Sequence, residues 1–208
     1  MKVAIVDFGM GNLRSVANAL EFVGVEPCFA RRGEELEPAG AIVLPGVGAF
    51  GAGIANIHAA GLAEPLLRLV VDKGRPLLGI CLGMQLLADS SEEHGSHRGL
   101  GLVPGRVRRL QPDDPSCKIP HIGWNDLEIR RRDPLFAEIG ETPEYYFVHS
   151  WHLEPEEEAH CAAVCEHGQR FAAAVVHGQV TGVQFHPEKS QRAGIQLLRN
   201  FCEFARRC

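Results

Sequence analysis

Apolar and polar positions along the chain fall into two regimes. The first half alternates continuous apolar runs with runs of helical spacing. Lys2–Asp7 is β-branched and apolar and closes on an Asp, the pattern of a strand buried on both faces. Gly9-Met10-Gly11 turns the chain and Asn12 is a good helix N-cap. Leu13, Val16, Ala17, Leu20 and Val23 then recur at helical spacing until Gly24. Gly40–Leu44 is a second buried strand, ending at Pro45-Gly46-Val47-Gly48. Leu62–Val71 reads as a helix with Pro65 in its first turn. Pro76–Ile80 is a third strand, and Leu82–Ala88 a helix. This alternation predicts an α/β fold whose central sheet is mostly parallel and flanked by helices.

The second half changes character. Val103–Leu110, Leu127–Arg130, Glu144–Ser150, Ala162–Glu166, Phe171–His177 and Val180–His186 are short strand-like runs separated by turn residues. Gly178-Gln179 between the last two is a hairpin signal, so this half should be more antiparallel. Ser190–Arg206 reads as a closing helix with Ile195, Leu198, Cys202 and Ala205 on one face. No repeat or low-complexity linker divides the chain, and 1–208 is expected to be a single domain. Pro38–Ala63 carries no formal charge and is long enough to span a bilayer. It also holds Pro45, Asn56, His58 and six glycines, and is expected to be a strand followed by a glycine-rich loop instead.

Composition narrows the class. At 45% hydrophobic residues the chain can bury a core, and a net charge of -5 argues against coating nucleic acid. Seven cysteines, an odd number with no secretory start before them, fit reduced thiols in the cytoplasm better than a disulfide scaffold. Glu154-Pro155-Glu156-Glu157-Glu158, Arg108-Arg109 and Arg130-Arg131-Arg132 are expected to be solvated.

The chemistry concentrates at Gly79-Ile80-Cys81-Leu82-Gly83-Met84-Gln85. An apolar strand runs straight into a helix, Cys81 sits at the joint, and glycines flank it two residues to either side. A nucleophile needs this arrangement: the sharp turn exposes the sulfur, and the glycines let backbone pack against it. The helix start favours a thiolate, and the N–H of Leu82 can donate to an oxyanion. A base is also required. His186 precedes Pro187, which holds it extended, so Glu188 should face the same way and orient the ring. Cys81 and His186 meet only if the last strand lies beside the Cys81 strand. Pro45-Gly46-Val47-Gly48 should reach the same sheet edge. Taken alone, it also fits an ordinary turn. His160-Cys161 with Cys165-x-His167 offers four ligand atoms, but the spacing and the alternation along a strand disfavour zinc.

The elbow and Phe185-His186-Pro187-Glu188 resemble the class I, triad-type glutamine amidotransferases. Asp7–Leu13, Pro45–Phe50, Lys118–Asn125, Tyr146–Trp151 and Gly182–Ser190 narrow the likeness to the glutaminase subunits of imidazole glycerol phosphate synthase, over essentially the whole chain. The resemblance implies a flavodoxin-like sheet and no cofactor or metal. It implies that Cys81 forms a glutamyl thioester, that His186 moves the proton and that Glu188 orients His186. The oxyanion would be held by the N–H groups of Leu82 and, in the active state, Val47. Gly46, Gly48, Gln85, Ser150 and Trp151 would hold glutamine. Family members usually carry Tyr where this chain has Trp151, which bears on the shape of the pocket rim. The implied partner is a (β/α)8-barrel cyclase that uses the ammonia to make imidazole glycerol phosphate and aminoimidazole carboxamide ribotide. Arg14, Trp124, Tyr146 and Lys189 match positions at or near that interface, although an aromatic in a strand is ordinarily core. Rival expectations are another acyl-transfer enzyme on this fold or a non-catalytic binding module. The Pro-Gly-Val-Gly loop and the full-length likeness count against the first, and the intact Cys81, His186 and Glu188 against the second.

Overall fold

A computed structural model describes residues 1–131 and 133–208. Arg132, the end of the Arg130-Arg131-Arg132 run, lies outside the described residues. The first half supplies β1 (Lys2–Val6), α1 (Leu13–Phe22), β2 (Glu26–Ala30), β3 (Ala41–Gly46), α2 (Phe50–Ala59), α3 (Ala63–Leu67), β4 (Leu77–Cys81) and α4 (Leu82–Leu86). The second half supplies β5 (Ser90–Ser91), β6 (His97–Arg98), β7 (Gly105–Arg109), β8 (His121–Asp126), β9 (Glu128–Ile129), β10 (Glu144–His149), β11 (Trp151–Pro155), β12 (Cys161–Glu166), β13 (Arg170–His177), β14 (Val180–Val183) and α5 (Gln191–Ala205).

Eight strands form one sheet in the order β2, β1, β3, β4, β14, β13, β12, β9. The first five run parallel and the last three pair antiparallel. The two halves of the sequence are thus two zones of one sheet. Alternate side chains serve opposite faces. Val3, Ile5, Val43 and Ile80 meet α1 and α5 through Val16, Leu20, Leu198 and Phe201. Ala4, Val6, Ile42 and Leu44 meet α2 to α4 through Ile57, Leu66 and Leu86. Strands buried on both faces must be apolar throughout, which is why β1, β3 and β4 read as unbroken runs.

Among the described residues a two-stranded ribbon and a four-stranded sheet lie beside the eight-stranded one. β8 and β10 pair antiparallel, with His149 opposite His121 and Tyr146 opposite Trp124. β11, β7, β5 and β6 form the other sheet.

Several expectations are corrected. Phe50–Ala59 is a helix and not a glycine-rich loop. Its glycines serve close packing: a Cβ on Gly51 would lie 2.6 Å from the His97 ring, and one on Gly53 3.2 Å from Leu86. The last strand stops at Val183, short of His186. Leu62–Val71 is helical only to Leu67 in α geometry and widens into a π-turn over Arg68–Asp72. β7 starts at Gly105, not Val103. β2, β8 and β11 are strands that the apolar pattern does not announce. Among the described residues no single helix is long and apolar enough to cross a membrane.

Candidate active site

The site is assembled by register. Gly46 at the end of β3 stands opposite Cys81, and Val183 at the end of β14 stands opposite Ile80. Because β3, β4 and β14 are parallel, their carboxyl ends share one edge. Gln184 to His186 therefore leave the sheet directly beside Cys81, which meets the condition for nucleophile and base to come together.

Cys81 occupies the joint between β4 and α4 with φ 53° and ψ −109°. An L-residue rarely holds this conformation, and it persists only where the surroundings enforce it. The flanking glycines show how. A Cβ on Gly79 would sit 2.8 Å from the carbonyl of Gly83, and one on Gly83 only 1.7 Å from the carbonyl oxygen of Leu44. The elbow can close only with no side chain at either position. Helix α4 is shorter than expected, Leu82–Leu86, so its dipole is small. Its contribution is the unspent N–H of Leu82, the first helical residue.

His186 is extended (φ −103°, ψ 93°), but Pro187–Lys189 forms a single 3-10 turn. The two-residue alternation used to align Glu188 with His186 is therefore not the cause. The turn itself carries the carboxylate under the ring, and Nδ1 lies 2.8 Å from Glu188 Oε1. Both side chains are buried, 3% and 1% exposed. Ser190 fixes the segment by donating to the His186 carbonyl at 2.6 Å and accepting the Tyr146 N–H at 3.0 Å. Burial disfavours the imidazolium, but the Cys81 sulfur and the carboxylate of Glu188 outweigh it and push His186 up to about 9. Nε2 has no aligned hydrogen-bond partner among the described residues. With the ring raised this far, Nε2 is the position that holds the proton withdrawn from the sulfur.

A cleft of about 790 Å³ opens over Cys81. Val47, Gly48, Leu82, Gln85, Ser150 and Trp151 line it, together with Val148, His149, Glu93, His94 and Arg109. Gln85 donates to the Trp151 carbonyl at 2.7 Å and to Gln184 Oε1 at 3.2 Å, and Gln184 Nε2 points to Cys81 Sγ at 3.8 Å. Trp151 shapes the rim with its ring edge-on to His94, centroids 6.5 Å apart. Gly46 does not line the cleft but lets the loop lie close, since a Cβ there would fall 3.0 Å from the Leu82 side chain.

Glu93, His94, Arg109 and Gln184 were not singled out from the sequence. Arg109 belongs to a pair expected to be solvated. Glu93 is buried and accepts the N–H of Phe50 at 2.6 Å, so it anchors α2 directly after the glycine loop. Only Gln184, within the quoted Gly-Val-Gln-Phe-His segment, carried a signal.

Beside the cleft, Trp124 stands edge-on to Tyr146, 6.1 Å between centroids, and Lys189 Nζ sits 5.6 Å over the Tyr146 ring. Trp124 is 44% exposed. Arg14 is exposed on the first turn of α1, and no described contact ties it to this cluster. His160 and Cys161 lie at the start of β12, and Cys165 and His167 at its end. Among the described residues no three His, Cys, Asp or Glu side chains converge on a metal position. Burial pushes Cys165 up to about 12 and Cys202 up to about 11, which keeps both as inert thiols.

A family model for glutamine amidotransferase class-I matches residues 4–204. The chain is 46% identical over 206 residues to imidazole glycerol phosphate synthase subunit HisH of Geobacter sulfurreducens, covering 97% of this chain and 98% of that one. It is also 46% identical over 206 residues to the subunit of the same name from Zymomonas mobilis, covering 97% and 95%. Among solved structures, a glutamine amidotransferase crystal structure superposes with a TM-score of 0.76 at 23% identity, covering 98% of each chain. PurLQS from Thermotoga maritima gives 0.76 at 21%, again over 98% of each. At such identities these two likenesses speak for the fold alone.

Proposed function

The chain belongs to the class-I glutamine amidotransferase family, and on that premise we propose that it is the glutaminase subunit of an imidazole glycerol phosphate synthase. The observation that carries the mechanism is the strained Cys81 beside a His186–Glu188 pair whose Nε2 is unspent. Cys81 Sγ, its proton already held on His186 Nε2, bonds to the side-chain amide carbon of glutamine. The amide oxygen takes the displaced electron pair, and the N–H groups of Leu82 and Val47 hold it. Collapse of that oxyanion breaks the carbon–nitrogen bond, and His186 returns the proton to the departing ammonia. Water then cleaves the thioester to glutamate. Glu188 holds the ring in its tautomer and stabilises its charged form. Gln85, Gly46, Gly48, Ser150 and Trp151 hold the substrate.

The ammonia goes to a (β/α)8-barrel cyclase, a separate subunit docked on the face with Trp124, Tyr146 and Lys189, with Arg14 at its margin. One domain, 1–208, then carries only the glutaminase half of the reaction, in the cytoplasm, with no cofactor. Peptide rotation within Gly46-Val47-Gly48 would bring the Val47 N–H into play when the cyclase binds its ligand. Glutamate release, measured with and without a cyclase and its nucleotide ligand, tests this. Wild type should need both for full activity, and Cys81→Ala should show none. Full activity without a partner would end the switch, and ligand-stimulated turnover by Cys81→Ala would end the mechanism.

A further inference from the structure

The inward face of the β8–β10 ribbon carries histidines that this chemistry does not use. His121 and His149 are buried, stand opposite one another, and His121 Nδ1 lies 3.1 Å from His149 Nε2. One fixed point orients every proton. The Trp151 carbonyl can only accept, so His149 Nδ1, 2.9 Å away, carries the hydrogen. Burial holds His149 down at about 3 and His121 at about 4, so both rings are neutral at pH 7. His149 Nε2 is then the acceptor and His121 Nδ1 the donor. His121 Nε2 accepts from Asn125 Nδ2 at 3.3 Å, and Asn125 Nδ2 also donates to the Glu166 carbonyl at 2.8 Å.

The Trp151 carbonyl is also held by Gln85, which leads through Gln184 to Cys81. A single hydrogen-bonded path therefore runs from the ribbon to the nucleophile. The outward face of the same ribbon presents Ile122 and Trp124, 60% and 44% exposed. Filling the space beneath would need only apolar rings, and Phe147 and Phe171 already pack there. Two polar rings among them cost desolvation unless fully paired, and here both nitrogens of each are used.

We propose that His121 and His149 are positioning residues, a polarised pair that fixes the Trp151 carbonyl and, through it, Gln85, and so sets the affinity for glutamine. The proposal rests on the glutaminase reading of the cleft. Its test uses the complex with the cyclase. In His149→Asn the amide replaces Nδ1 and still reaches the Trp151 carbonyl. In His149→Gln it replaces Nε2 and does not. His149→Gln should raise KM for glutamine about tenfold, the worth of one hydrogen bond, with kcat within about threefold. His149→Asn should recover most of that KM. Nitrogen-15 NMR of the wild type should find both rings as neutral Nδ1–H tautomers down to pH 5. The titratable neighbours to be followed are His167, stacked on His121 at 4.1 Å, and His152. An unchanged KM in His149→Gln, equal losses in both variants, or an Nε2–H tautomer in either ring would overturn the proposal. A wild type that releases no glutamate with its partner would instead refute the glutaminase reading, leaving the tautomers as a separate result.

Discussion

Replacing Gly83 by Ala is the sharpest test of the elbow. The added methyl carbon would fall 1.7 Å from the Leu44 carbonyl oxygen and 2.8 Å from its carbon. Ordinary carbon–oxygen contact needs about 3.3 Å, so about 1.6 Å must be found. The obstruction is backbone in the middle of β3, which is buried from end to end. α4 cannot retreat freely, because Leu82 and Leu86 are wedged against Gly53 of α2. The cost therefore belongs at the upper end of overpacking, about 3 kcal/mol. For a chain of this size that is a fall in Tm of roughly 6–12 °C. The shift also carries the Leu82 N–H and the Cys81 sulfur off their positions, and a misplacement of about 1 Å costs about a hundredfold in turnover. Scanning calorimetry and the partner-stimulated glutaminase assay read the two effects. Gly140→Ala is the control: it meets open space, needs no left-handed backbone, and should leave Tm unchanged or slightly raised. A Gly83→Ala protein melting within 2 °C of wild type (roughly half a kcal/mol) would refute the steric account.

Three further outcomes follow from the same geometry. Cys81→Gly and Cys81→Ala should both be inactive, but the Gly variant should melt several degrees higher, because it relieves a φ of 53° and ψ of −109° that costs an L-residue about 1–3 kcal/mol; equal melting temperatures would show that the elbow is unstrained. Glu188→Gln should lower kcat at least about a hundredfold. It should also flatten a pH dependence: His186 is raised when folded, so its stabilising contribution is complete below about pH 6.5 and is lost as pH climbs through about 9. Wild type should therefore lose more Tm than the variant across that window, and parallel curves would contradict the pairing. Glu93→Ala strips the buried Phe50 N–H of its acceptor and should cost about 1–3 kcal/mol in denaturant unfolding. Glu93→Gln, which keeps an acceptor, should cost less, and the reverse order would show that the bond is immaterial.

The parts of the fold legible in the sequence are those where one physical demand acts alone. β1, β3 and β4 are buried on both faces, so nothing but apolar residues fits them. The Gly-x-Cys-x-Gly spacing was readable because each glycine answers to a backbone contact. Legibility failed where two demands overlap. β2 is half exposed along one margin of the sheet and holds Pro27 and Cys28, so its apolar signal is thin. β8 turns His121 and Asn125 inward, and β11 buries His152, which breaks the alternation that marks a strand. In α2 glycines stand at packing positions, and glycine at helical spacing is indistinguishable from a loop. At the site, Cys81, His186 and Glu188 could be selected from their flanking residues. Glu93 could not, because an acidic pair at 92–93 looks solvated until the N-terminus of α2 is seen to lie against it.

The place of β14 in the sheet has a consequence for the order in which the molecule becomes reactive. It inserts between β4, made early in synthesis, and β13, made just before it. Until that insertion the flank of β4 beside Cys81 is an open edge, and the sulfur has neither its base nor the Gln184 amide next to it. Pairing between segments so far apart in sequence is slow to form. Competence therefore arrives in one late step, when the last strand docks and Pro187–Lys189 closes under His186. A nascent or truncated chain ending before β14 would hold an ordinary thiol on an unfinished sheet. Capture of glutamine is thereby tied to completion of the fold.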